Sequence, residues 1–142
     1  MIRPRKELPE HLHSRYRAFL AVLEEVEPAK AGLADVLPTT RLPGRPLRDA
    51  VAAYSEHLER ARTSMPGWRA VELESEWRDC DRGIAEALGR AQRVLGASDE
   101  PDGFEGLLGT VERLIDPLDP FVAAAERFSK LRRRRRDQFG DR

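Results

Sequence analysis

Between Leu73 and Val94, the residues Leu73, Trp77, Cys80, Ile84, Ala87, Ala91 and Val94 follow one another in alternating steps of four and three. A strand repeats every two residues, so this spacing is the apolar stripe of a helix packed along other helices. It predicts one long helix over residues 64–96, with Ser64 as its cap ahead of Pro66 and Gly67, and Gly96 closing it. Trp68 and Trp77 are nine residues apart, on opposite sides of an ideal helix. Trp77 therefore belongs to the stripe, and Trp68 is expected to cover the helix start or to sit in an interface.

Other segments carry the same period. Leu12, Tyr16, Phe19, Leu20, Leu23 and Val26 stripe a first helix that begins near Pro9 and that Pro28 breaks or kinks, with a short helix following to Leu37. Residues 38–46 hold three prolines and a glycine without any period and read as an ordered loop. Leu47, Ala50, Val51, Tyr54, Leu58 and Ala61 stripe a second helix. Phe104, Leu107, Leu108, Val111, Leu114 and Ile115 mark a further one, and Phe121, Ala124, Ala125, Phe128 and Leu131 the last, with Asp119 as cap and Pro120 as first helical residue. The pairs Glu56–Arg60, Glu74–Arg78, Glu86–Arg90 and Glu126–Lys130 are placed to support these helices by about 0.2–0.5 kcal/mol each. No strand and no internal repeat is evident. The expected fold is all-α: an antiparallel bundle of four main helices with one or two short additional helices, forming a single domain over 1–142 with short basic tails at about 1–7 and 132–142.

Composition narrows what such a bundle can do. With 40% hydrophobic and 35% charged residues, the 142-residue chain can build a core under strongly solvated helix faces. No run of about 18 apolar residues predicts a membrane span, residues 1–30 lack the apolar core of a signal peptide, and a single cysteine excludes an intramolecular disulfide, so the cytoplasm is the expected compartment. Net charge is zero, which argues against a polyanion partner for the molecule as a whole. Only Lys6, Lys30 and Lys130 among the 25 basic residues are lysine, a bias that GC-rich coding explains.

Where the arginines cluster is more telling. Arg132, Arg133, Arg134, Arg135 and Arg136 are consecutive, and guanidiniums grip phosphates through charge-assisted, often bidentate bonds. The plainer reading is the solvated end of the last helix, favoured by its dipole, since no aromatic residues interleave to stack on bases. An acidic counterpart lies at 99–119, where Asp99, Glu100, Asp102, Glu105, Glu112, Asp116 and Asp119 face one base, Arg113. Glu10-x-x-His13 matches one element of a di-iron carboxylate bundle, yet it occurs once, and His57 has no glutamate three residues earlier. Cys80 sits on the stripe and reads as a core residue, not a nucleophile. Gly103, Gly106 and Gly109 recur every three residues, which suggests close packing by a neighbouring helix. No phosphate loop, nucleophile elbow or zinc-ligand pattern is present, and neither a catalytic residue, nor a cofactor, nor a metal ligand is assigned.

These features lead to the expectation of a small, non-catalytic helical protein that acts through protein–protein contacts and associates with itself. One alternative is nucleic-acid or polyanion binding through residues 132–136. Another is a small-molecule or enzymatic pocket between helices, apolar and with Tyr16, Tyr54 or a histidine as its polar handle.

Overall fold

The stripe from Leu73 to Val94 is the spine of the structure, a computed structural model that describes residues 6–134. Its helix, α3 (Glu74–Gly96), buries Trp77, Cys80, Gly83, Ile84, Ala87, Leu88 and Ala91, with Leu73 buried just ahead of it. The helix starts where its stripe starts, ten residues later than the expected Ser64 cap. Instead α2 (Leu47–Ser64) runs out into a 3-10 helix at Met65–Trp68, and a second at Val71–Leu73 leads into α3.

The two tryptophans account for the break. Trp68 has no exposed surface and meets the edge of Phe19 with ring centroids 4.9 Å apart. Trp77 is also buried, and its Nε1 donates to the Met65 carbonyl oxygen at 2.8 Å. A straight helix would turn one of them to solvent. Burying a tryptophan removes roughly 150–250 Å² from water, about 4–6 kcal/mol, whereas a lost helical hydrogen bond costs about 1 kcal/mol. Interruption wins, and Trp68 is a core residue, not an interface residue.

α1 (His13–Ala34) makes the most extensive pairing in the molecule, along α2. It passes through Pro28 without breaking and absorbs most of the short helix expected after it. Pro28 itself is exposed, while Val22 and Val26 before it and Ala29 and Leu33 after it are all buried. Core contacts on both sides of the proline outweigh the hydrogen bond it forfeits. The loop at 38–46 folds back on the helix end, with the Arg45 backbone N–H donating to the Asp35 carbonyl oxygen at 2.8 Å. Gly44 lies there so close to the Val36 carbonyl that a side chain would overlap it.

α4 (Gly103–Ile115) and α5 (Pro120–Leu131) follow each other through a 3-10 turn at Asp116–Leu118, and both pack on α3. The architecture is thus an all-α antiparallel bundle. Its core gathers Phe19, Trp68, Phe121 and Phe128 with the half-buried Tyr16 against the aliphatic residues of α2 and α3. Two of the expected supporting pairs form, Glu74–Arg78 at 3.0 Å and Glu86–Arg90 at 2.7 Å. Arg60 turns from Glu56 to reach across to Glu25 on α1 at 3.1 Å. Gly96 ends α3 in ordinary backbone conformation, and neither Ser64 nor Asp119 makes a side-chain capping bond.

One pairing was not foreseen. β1 (Lys6–Glu7) and β2 (Arg133–Arg134) form a two-residue antiparallel ladder, Lys6 opposite Arg134 and Glu7 opposite Arg133. Period-two reading cannot detect strands this short.

Candidate functional site: the cleft beside helix α4

α4 is held from beneath by groups reaching up from α2 and α3. The Tyr54 hydroxyl, buried on α2, donates to the Leu114 carbonyl oxygen. Arg90 Nη1 on α3 donates to the next carbonyl oxygen, that of Arg113, at 2.6 Å, and its Nη2 pairs with Glu86. At the end of α3, Arg48 Nη1 from α2 donates to the Leu95 carbonyl oxygen at 2.6 Å. Helix ends leave carbonyls without intrahelical partners, so these two arginines serve as C-terminal caps of α4 and α3.

Beside these contacts lies a cleft of about 600 Å³, lined from the start of α2, the end of α3 and α4. Leu47, Val94 and Leu114 supply apolar lining, Arg48, Arg90, Arg93 and Arg113 line it with guanidiniums, and Asp99, Glu100 and Pro101 line it as well. Volume and lining both fall within the range of small-ligand sites. Among the described residues, neither Asp99 nor Glu100 forms an ion pair with any of the four arginines, and only Arg90 has a carboxylate partner. Arg93 has no hydrogen-bond or ion-pair partner among the described residues, and Arg113 makes only a 3.4 Å contact to the Thr110 hydroxyl. Asp99, Glu100 and the Glu86 partner of Arg90 offset most of the charge of the four arginines, and what distinguishes the cleft is the two exposed guanidiniums, Arg93 and Arg113, that have no carboxylate partner among the described residues.

The far side of α4 is different. Phe104 and Arg113, nine residues apart, project from opposite sides of the helix. Phe104 is 52% exposed and Leu108, four residues on along the same face, is half buried, whereas Val111 and Ile115 farther along it pack against the core. Glu105 and Glu112 lie exposed beside this apolar strip.

The residues singled out in the sequence fall elsewhere. α5 ends at Leu131 and Arg132 is extended, so the arginine run continues beyond the last helix and does not form its solvated end. The Arg132 guanidinium lies over the Tyr16 ring at 5.2 Å, a cation–π contact. Arg133 and Arg134 take part in the ladder through their backbones, whereas Arg135 and Arg136 lie outside the described residues. Glu10 and His13 do not converge: His13 Nε2 bonds the Leu8 carbonyl oxygen at 2.8 Å. His11 pairs instead with Glu72 at 2.5 Å, and His57 with Glu25 at 2.8 Å. Cys80 has no exposed surface, and burial, reinforced by Asp79, pushes its thiol well above the usual range. All three histidines are committed elsewhere, which leaves Cys80 as a core side chain. Burial likewise pushes the Tyr54 hydroxyl up, keeping it a proton donor at any ordinary pH.

The three glycines of α4 are not a helix-packing surface. Gly103 has a φ of 67°, a left-handed conformation that favours glycine. Gly106 lies against Pro101, and the nearest neighbour of Gly109 is the guanidinium of Arg113, for which it makes room. The close helix approach occurs at Gly83 of α3, where a Cβ would sit 2.1 Å from the Pro117 carbonyl oxygen.

The polar groups lining this cleft are the four arginines with Ser98, Thr110, Asp99 and Glu100, and neither Tyr16, nor Tyr54, nor a histidine lines it. Arg48, Arg90, Arg93 and Arg113 are spread over three helices, and no spacing in the chain unites them. The only hint was Arg113, the single base within an acidic stretch. No protein family, curated protein or solved structure matches this chain.

Proposed function

We propose that this protein is a non-catalytic contact module that associates with itself through the far side of α4. The observation that carries the reading is Phe104, 52% exposed on α4, with the half-buried Leu108 one turn on beside it. Apolar side chains grouped on an exposed helix face mark protein interaction sites. A second copy is the occupant that charge favours. The acidic residues at 99–119 and the five arginines at 132–136 are complementary within one chain of zero net charge. Polyanion binding by the arginine run draws less support, since Arg132 is engaged with Tyr16.

Sedimentation across a concentration series tests the reading. The parent chain is expected to form dimers or larger species, and Phe104→Glu with Leu108→Glu to leave monomers of unchanged helicity. Replacing the five arginines by serine is expected to weaken association. A parent that stays monomeric at every accessible concentration overturns the proposal.

A further inference from the structure

We infer that the cleft beside α4 is a binding site for an organic anion with an apolar body, a carboxylate or phosphate ester of about medium-chain fatty-acid size. The inference does not rest on self-association, because the cleft opens on the side of α4 opposite Phe104.

Two features of the cleft define the ligand. Guanidinium N–H groups left without a carboxylate partner call for an anion. Arg48 and Arg90 each spend a guanidinium N–H on a helix-end carbonyl, which fixes them in place while other N–H groups remain to face a ligand. Arg93 and Arg113 are not needed to hold the fold: the first has no partner among the described residues and the second only a long contact to Thr110. Planar, five-donor guanidiniums suit the paired oxygens of a carboxylate or phosphate. The second feature is apolar surface. Leu47, Val94 and Leu114 offer an alkyl chain or ring a place out of water, which a bare inorganic anion would leave unused. Asp99 and Glu100, which also line the cleft, disfavour a second anionic group, so a ligand with one charged end fits best.

The probes are decanoate, decyl phosphate, decanol and inorganic phosphate, titrated calorimetrically into the full chain. Decanoate or decyl phosphate is expected to saturate one site per chain, and the difference between the two tells carboxylate from phosphate preference. Decanol and inorganic phosphate, each lacking one half of the recognised chemistry, are expected to bind at least about ten-fold more weakly. Arg93→Ala with Arg113→Ala is expected to weaken the anionic probes about ten- to hundred-fold while leaving the melting temperature nearly unchanged. Phe104→Glu, on the opposite side of α4, is expected to leave them unaffected even where it abolishes self-association. Absence of saturable binding by both amphipathic anions overturns the assignment, as does equal binding of decanol, equal binding of inorganic phosphate, or undiminished affinity in the double arginine variant.

Discussion

A methyl group added at Gly83 would lie 2.1 Å from the Pro117 carbonyl oxygen, and a backbone atom in a packed turn has little freedom to retreat. Gly83→Ala is therefore expected to destabilise the protein by about 1–3 kcal/mol, read from urea unfolding, although alanine is the better helix former. Tyr54→Phe isolates a different single contact. It keeps the ring and leaves the buried Leu114 carbonyl without its donor, with an expected loss of about 1–2 kcal/mol. At this scale the sequence was partly legible. The stripe residues Leu73, Trp77, Cys80, Ile84, Ala87 and Ala91 are buried and Val94 is half buried at the cleft, because periodicity records which side of a helix faces the core. Gly83 lies off that stripe, and nothing local announces that a turn 33 residues further on will press against it.

Helix α1 shows how packing overrides a local rule. An interior proline costs a helix about 3 kcal/mol, yet the helix continues because Val26 and Ala29 flank Pro28 in the core. Since Pro28 is exposed, its cost is removable: Pro28→Ala is expected to stabilise the fold by about 2 kcal/mol after allowing for the greater freedom of the unfolded chain, measurable as a raised urea midpoint. The opposite lesson comes from residues 65–73, expected to be the first turns of the long helix, where the chain instead forms two short 3-10 turns and buries Trp68 as well as Trp77. Element type was readable at both places, while the boundaries depended on contacts with Phe19 and Met65 that lie elsewhere in the chain. The cleft was illegible for the same reason. Its arginines come from three helices and acquire meaning only when α4 is laid beside the end of α3.

For the whole molecule, the response to acid follows from three carboxylates that tie segments together. Glu74 accepts from Arg69 and Arg78, and chiefly the Arg69 bond lowers its pKa from 4.5 to about 2. Glu25 joins α1 to His57 and Arg60 on α2, and Glu72 joins the Val71–Leu73 turn to His11; a histidine hydrogen bond is the main cause of lowering in both. Each group holds its proton less tightly folded than unfolded, so its contribution is complete above about 4.5 and fades as pH falls toward the depressed value. Melting temperatures are accordingly expected to be flat near neutrality and to fall between about pH 4.5 and 2, with Glu74→Gln flattening the lower part of that descent. The all-α bundle was legible at this scale, whereas the ladder of Lys6–Glu7 with Arg133–Arg134 was not, being two residues long. Its geometric consequence is a ring-like path: strand partners lie about 5 Å apart, so residue 134 can be spliced to residue 6 by a short glycine bridge and new termini cut within 38–46. Such a permuted chain should recover the same helicity and a cooperative melt, because the cut falls in an excursion that no helix spans.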